Sequence, residues 1–384
     1  MDHMTKIFMT GITGLVGSAF VTALLKDRPD MHFVCLARGG KNRTAEDRLI
    51  EAVKAQCEFD GEAERFDEVM KHITVVDGDV VTLDAAALAA DPRLEGVTEI
   101  FHCAADVNLG KDPTGKTFTI NFNGTQNILA LAKLLNVKAF HYVSTAYVAG
   151  RKRGVAMEAE AENHGYNNPY EESKAKAEKL VRESGFPFTI YRPGIITGRR
   201  SDGRIRRPLA FYRIIEFLAK MKSHQCKKMG IAPTEEVDLN IHFQVTPSER
   251  VYFTPIDFVQ YAITKCYQLP VKNETYHVTG DSPVSTMMID RAVCKTLRLA
   301  LADITAQSVE GSQEQAQLMA RFIGDLYPYF ETDVTFSQTN IRKAIGDEAL
   351  DWPFGQEELE VMMRNYFIDF FPEVEWIQQV IGNR

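Results

Sequence analysis

Short apolar runs alternate with longer amphipathic stretches along most of this chain. Lys6 to Met9, His32 to Leu36, Ile73 to Val76, Glu99 to Cys103, Ala139 to Val143 and Phe188 to Tyr191 are too short and too continuously apolar for helices, and predict buried strands. Between them, Ser18 to Lys26, residues 44 to 71 and Thr114 to Asn136 have helical spacing. In the last of these Phe118, Phe122, Ile128, Leu129, Ala132 and Leu135 recur on one face. Strand and helix in alternation predict an α/β fold, a doubly wound parallel sheet. Further on, Val251 to Phe253 and Tyr276 to Thr279 predict strands around a helix from Asp257 to Gln268, returning to the main sheet. Pro208 to Met221, Met287 to Leu299, Ser312 to Leu326 and Glu357 to Phe371 predict helices, and residues 222 to 250 the least regular stretch.

Composition narrows the class. The 384 residues, 45% hydrophobic and 25% charged, suffice for a large core, as one large domain with an appended lobe or as two domains. A net charge of -8 argues against a protein that binds nucleic-acid phosphates. Cys35, Cys57, Cys103, Cys226, Cys266 and Cys294 have no paired spacing and fit reduced, buried thiols. His224 and Cys226 lack a second ligand pair, so no metal site is expected. The start, Met1 to Lys6, has no signal-peptide apolar core, and no apolar run approaches the ~20 residues of a spanning helix. The expectation is a cytoplasmic protein without membrane insertion.

Candidate chemistry begins after the first strand. Thr10-Gly11-Ile12-Thr13-Gly14-Leu15-Val16-Gly17 joins strand to helix, the arrangement that offers backbone N–H groups and a helix N-terminus to a pyrophosphate. Its glycines are spaced three and three, and a tight structural turn reads the same way. The second strand ends at Arg38, with Lys41 and Arg43 close behind, where an NAD-selective fold carries an acidic residue. A guanidinium there suits a 2′-phosphate and favours NADPH; a solvent-facing loop arginine is the plain alternative. Asp79, followed by Val80, is placed to accept from an adenine amino group. Cys103, Ala104 and Ala105 close the fourth strand with residues small enough for a cofactor to approach. An acyl-enzyme on Cys103 has no neighbour in sequence to form its thiolate.

The fifth strand ends in Ser144-Thr145, at the sheet edge where open α/β sheets place their sites. In Asn168-Pro169-Tyr170-Glu171-Glu172-Ser173-Lys174, Asn168 reads as an N-cap, Pro169 as the first helical residue and Glu171 as the capping-box partner. Tyr170 and Lys174 then share a face, and an ammonium one turn from a phenol lowers its pKa. Taken alone, the pair also fits a solvated, charged helix. The cluster Arg199, Arg200, Arg204, Arg206 and Arg207 fits either an anionic substrate handle or loop solubility.

Taken in order, Thr10 to Gly17, Asp79, Asn121, Ser144-Thr145, Tyr170, Lys174 and Tyr191-Arg192-Pro193-Gly194 resemble the extended short-chain dehydrogenase/reductase superfamily. His102-Cys103-Ala104-Ala105, Asn121 to Thr125, Tyr142 to Gly150, Asn168 to Glu178 and Pro255-Ile256-Asp257 resemble its thioester-reductase branch. That branch includes fatty acyl-CoA reductases and the terminal reductase domains of carboxylic acid reductases and peptide synthetases. The resemblance covers about residues 5 to 280 and departs from the pattern at Ile12, where relatives often carry Ala.

The resemblance implies a Rossmann-type NADP-binding domain over residues 1–200, with 251–280 returning to it; for the rest, helical composition assigns a smaller, mostly helical substrate lobe to 201–250 and 281–384. It implies that Thr145 and Tyr170 bind the substrate carbonyl oxygen and that Lys174 holds the nicotinamide ribose and lowers the Tyr170 pKa. Asn121 keeps a relay water in place, and Ser144, Pro193, Gly194, Ile195 and Ile196 border the nicotinamide. The implied reaction is reduction of an acyl thioester by NADPH to an aldehyde, with a further step to the alcohol left open. No adenylation or carrier segment accompanies the motifs, so a CoA ester or an acyl or peptidyl carrier protein acting in trans is expected to deliver the acyl group, to a monomer or a homodimer. Lys227, Lys228 and Arg250 would then mark a lid or docking loop. Phe211, Tyr212, Ile214, Ile215, Phe217 and Leu218, and also Phe322, Tyr327, Tyr329, Phe330 and Phe336, wall an acyl pocket or pack an ordinary core. Two rivals remain, a nucleotide-sugar epimerase or dehydratase with the same Thr, Tyr and Lys, and a non-catalytic NADP-sensing regulator.

Overall fold

A computed structural model describes residues 5–239, 242–243, 250–281, 283–300, 303–304 and 324–382. Seven strands form one sheet: β1 (Thr5–Thr10), β2 (Met31–Ala37), β3 (Ile73–Asp77), β4 (Val97–His102), β5 (Ala139–Val143), β6 (Phe188–Pro193) and β7 (Glu274–Val278). Their order is β7-β6-β5-β4-β1-β2-β3 and every pairing is parallel. Two windings diverge from the gap between β1 and β4, which makes the sheet doubly wound, a Rossmann-like arrangement with helices on both faces. Period-two alternation sorts the core: Ile7, Met9, Phe33 and Phe101 enter one apolar cluster, and Phe8, Val34, Ile100 and Phe140 the other.

The first cluster is covered by α1 (Leu15–Asp27), α2 (Ala45–Phe59) and the later helix Ile256–Tyr267. Phe20 of α1 stacks on Phe101 with ring centroids 4.0 Å apart. The second cluster is covered by α3 (Gly124–Leu135) and α4 (Pro169–Glu183). Ile12 is fully buried, so its extra bulk beside the glycines points into the core. Among the described residues no helix is long and apolar enough to cross a membrane.

Several local expectations change. The helix expected over 44 to 71 breaks after Phe59, because Gly61 takes φ +74, and resumes as a short helix at Phe66–Lys71. The helix from Pro208 starts at Ala210 and runs on to Met229, where Gly230 (φ +69) ends it; we label it α5. Lys222 disguises that extension, standing on the buried stripe with Leu218 and Cys226. It is fully buried, and its Nζ donates to the carbonyls of Glu235, Leu297 and Arg298 at 2.7, 2.7 and 3.0 Å.

The segment 251 to 253 does not join the main sheet. Arg250–Val251 pairs antiparallel with Val284–Ser285, and Phe253–Pro255 pairs parallel with Ile195–Thr197, just past the end of β6. The chain bends at Gly194, where a Cβ would lie 2.6 Å from Thr254 Oγ1 and 2.7 Å from the Tyr252 carbonyl. Of the expected helix Ser312 to Leu326, residues 312 to 323 lie outside the described residues, as does Phe322. Beyond them the chain adds Thr339–Ile345, Gln356–Phe370 and Glu375–Gly382 as helices, and Val334–Phe336 pairs parallel with Gly154–Ala156.

Candidate active site

The carboxyl ends of β1, β4 and β5 bring the predicted residues to one edge of the sheet. Gly11 takes φ +83, and a Cβ on it would stand 2.6 Å from the Ala104 nitrogen and the Cys103 carbonyl carbon. A Cβ on Gly17 would stand 2.2 Å from the Gly11 carbonyl oxygen. The loop therefore tolerates no side chain at either position. Gly14 is the N-cap of α1 and supplies no side-chain cap, so the first N–H groups of that helix, from Leu15, Val16 and Gly17, have no side-chain acceptor there. This cradle fits the pyrophosphate of a dinucleotide.

At the far side of the cradle, Arg38 Nη1 lies 3.0 Å from Asp79 Oδ2, which brings together two residues expected at the adenosine end. Asp79 also accepts from the Val81 N–H at 2.9 Å. Arg38 is well exposed, and Arg48 Nη1 donates to its backbone carbonyl at 2.6 Å. Arg43 turns along α2 to pair with Glu51, and Lys41 is exposed. Val80 is buried against Gly124. Arg206 reaches the cradle from behind, donating to the Gly14 carbonyl at 3.2 Å, Ser18 Oγ at 2.7 Å and Gln56 Oε1 at 3.1 Å.

The helix expected from Thr114 is intact but contains a π turn, Thr119–Asn123, that leads into α3. The turn lets Asn121 face inward, fully buried. Its Oδ1 accepts from the Asp106 N–H at 2.8 Å, and its Nδ2 donates to the Asp106 carbonyl at 3.1 Å and to Ser173 Oγ on α4 at 3.0 Å. A polar chain that sequence reading did not assign links this asparagine to the glycine loop. Thr10 Oγ1 accepts the N–H groups of Cys103 (3.3 Å) and Ala104 (3.1 Å) and lies 2.6 Å from His102 Nδ1. His102 Nε2 lies 3.0 Å from Thr125 Oγ1, which donates to the Asn121 carbonyl at 2.6 Å. Burial, with Lys174 as a lesser cause, holds the His102 pKa down at about 3, so the ring is neutral. The quoted motif His102-Cys103-Ala104-Ala105 was the available signal.

On α4, Asn168 caps as expected, its Oδ1 accepting from the Glu171 N–H at 3.0 Å, and Pro169 begins the helix. Glu171 reaches one residue further back than a capping box requires, accepting from the Asn167 N–H at 2.8 Å. Tyr170 and Lys174 are both buried, which removes the reading of a solvated charged face. Burial raises the Tyr170 phenol well above its ordinary value, while the nearby Thr145 hydroxyl works against it. That corrects the expected lowering by Lys174. The ammonium instead donates to the Val143 carbonyl at 2.7 Å and lies over the Tyr142 ring, 4.1 Å from its centroid. Burial lowers the Lys174 pKa to about 8.

Thr145 opens a 3-10 turn, Ala146–Ala149, accepting from the Tyr147 N–H at 3.3 Å. Ser144 is buried, and its hydroxyl has no hydrogen-bond partner among the described residues. Gly194 and Ile195 spend their N–H groups on the Val278 and Tyr252 carbonyls, leaving the half-exposed side chains of Ile195 and Ile196 beside the site. Cys103 also faces this centre, and burial pushes its thiol up to about 12, against a thiolate role. A separate cleft of about 790 Å³ on another face of α4, lined by Glu160, Tyr166, Asn167, Lys176 and Lys179, includes neither Thr145 nor Tyr170.

Residues 9–263 match the family profile described as male sterility protein, an NAD-binding domain. The chain belongs to that family. Proteins named as reductases are among its relatives. Among curated relatives, the nonribosomal peptide synthetase asaC of Aspergillus flavus is 29% identical over 296 residues, covering 72% of this chain and 26% of that protein. The aldehyde reductase lnaA of the same fungus is 27% identical over 337 residues, covering 82% of this chain and 29% of that protein. The chain thus spans between a quarter and a third of these relatives' lengths. Among solved structures, a thiolation-reductase di-domain from an archaeal nonribosomal peptide synthetase superposes with a TM-score of 0.69 at 20% identity. The match covers 97% of this chain and 76% of that one, and shows a shared fold.

Proposed function

We propose that this family member reduces an acyl thioester with NADPH, taking the acyl group from CoA or from a carrier protein and releasing an aldehyde. The observation that carries the proposal is the buried pair Thr145 and Tyr170, whose hydroxyls lie near each other at the sheet edge that also holds the glycine cradle. The reductase names among its relatives and the thiolation domain beside the reductase in the archaeal structure support the thioester and the carrier. Exposed Arg38, backed by Arg48, supports a 2′-phosphate and hence NADPH.

The cradle from Gly11 to Gly17 holds the pyrophosphate, and Arg38 and Asp79 hold the adenosine end. The nicotinamide supplies the hydride. Thr145 and Tyr170 fix the thioester carbonyl oxygen, so that charge arriving there meets two oriented donors in a water-poor site. The buried, neutral Tyr170 passes its phenolic proton to that oxygen, and Lys174, still charged below about pH 8, stabilises the phenolate left behind. The hemithioacetal so formed loses its thiol, the C–S bond breaking as the carbonyl of the aldehyde forms. Asn121 keeps the Asp106 loop and α4 in register through Ser173.

Tyr170→Phe tests these roles. Turnover is expected to fall by about 10² or more while NADPH affinity, read by fluorescence titration, stays within a few-fold. Retained turnover would remove Tyr170 as the acid.

A further inference from the structure

Tyr329 belongs to a 3-10 turn, Tyr327–Phe330, far along the chain from the residues above. It is buried, and its hydroxyl accepts from Asn168 Nδ2 at 2.9 Å. The same hydroxyl lies close to the carboxylate of Glu171, which is fully buried. Both partners sit at the start of α4, one on either side of Pro169 and Tyr170. The Tyr329 ring packs edge-on against Tyr147, centroids 4.8 Å apart, in the turn that Thr145 opens. One side chain therefore touches the frame of both groups that face the substrate carbonyl.

The arrangement exceeds what the helix itself needs. Asn168 and Pro169 already start α4 without help. A carboxylate taken wholly out of water is costly unless donors surround it. Here the Asn167 N–H and Nδ2 donate at 2.8 and 3.3 Å within the loop, and the Tyr329 hydroxyl, from the C-terminal part of the chain, stands close by. With that hydroxyl removed, Asn168 loses an acceptor and Glu171 a polar neighbour, and the first turn of α4 gains freedom where Tyr170 is mounted.

We propose that Tyr329 is a positioning residue of the reduction, holding Asn168 and Glu171 so that the first turn of α4 aims the Tyr170 hydroxyl at Thr145. Seating of the C-terminal segment is then a condition of turnover, not only of pocket shape. The inference rests on the reading of Tyr170 as the acid.

The test compares Tyr329→Phe, Asn168→Ser and the double variant with the parent protein. Serine keeps the N-cap but is too short to reach Tyr329. Each single variant is expected to lower kcat about tenfold, with NADPH affinity and the thermal midpoint nearly unchanged. The double variant is expected to be no slower than either single one, because both cut the same link. Hydrogen exchange, which needs no substrate, is expected to show about tenfold faster exchange of the Glu171 and Glu172 amides in Tyr329→Phe. Unchanged kcat and unchanged exchange would overturn the proposal, as would losses that multiply or that come with a matching loss of NADPH affinity. If the parent protein oxidises NADPH with no thioester, the thioester reading fails by itself, and unchanged exchange in Tyr329→Phe would still overturn the positioning role.

Discussion

Burial and charge work against each other at Lys174, and the balance sets a pH limit. The ammonium is fully buried, which lowers its pKa to about 8, and it donates to the Val143 carbonyl and lies over the Tyr142 ring. If the charged form is needed to stabilise the phenolate of Tyr170, kcat falls about tenfold per pH unit above roughly 8. Stability runs the other way. Between 8 and 10.5 the unfolded chain binds the proton that folded Lys174 has lost, so this residue's contribution to stability rises with pH across that window. A pH series of kcat beside thermal midpoints separates the two, and a kcat that stays flat to pH 10 would show that the Lys174 charge is not used. Arg38 carries the second prediction at this scale. Arg38→Ala is expected to weaken NADPH about tenfold and to leave NADH unaffected, since only the former offers a 2′-phosphate to a guanidinium. Equal losses for both cofactors, measured as kcat/KM, would make Arg38 a partner of Asp79 alone.

Among the elements, α4 carries Tyr170 and Lys174 and is held from behind by a buried ion pair. Arg192 of β6 meets Glu178 through two bonds, Nε to Oε1 at 2.9 Å and Nη2 to Oε2 at 2.6 Å, and also donates to the carbonyls of Met157 and Ala159. Both side chains are 2% exposed. Glu178→Gln leaves the guanidinium buried without its counter-charge and is expected to cost about 3 kcal/mol or more in urea unfolding. A change below about 1 kcal/mol would place water or another anion beside Arg192. The strands around α4 were legible in the sequence because a parallel sheet buries both faces, and runs such as Ala139 to Val143 show it without ambiguity. The glycine loop, Thr145, Tyr170 and Lys174 were legible as spacing. The capping of α4 was legible in part, since Asn168 and Pro169 act locally while Glu171 answers to Asn167 and Tyr329. The sign of the Tyr170 shift was not legible: an i, i+4 ammonium predicts a lowered phenol only in solvent, and burial decides otherwise. Nor was the length of α5, because Lys222 stands where the apolar stripe should continue and gives its charge to three carbonyls instead. The chain from Thr10 through His102 and Thr125 to Asn121 joins β1, β4 and α3, and no local pattern announces such a meeting.

For the whole molecule, the fold places the cradle after β1, the Thr145 turn after β5 and the start of α4 on one edge of the sheet, with the C-terminal segment packed over it through Tyr329 and Phe336. Phe336 packs on Tyr252 and His277 with centroids 4.9 and 5.2 Å apart, and His277 in turn contacts Arg192. A UDP-glucuronic acid 4-epimerase shares the fold, so the sheet does not choose the substrate. The choice is settled most directly by following NADPH absorbance while the protein is offered a ladder of acyl-CoA and acyl-carrier thioesters and, separately, nucleotide sugars, with the products identified. The account predicts thioester-dependent oxidation of NADPH with release of an aldehyde or its alcohol. No oxidation with any thioester, together with turnover of a nucleotide sugar, would contradict it.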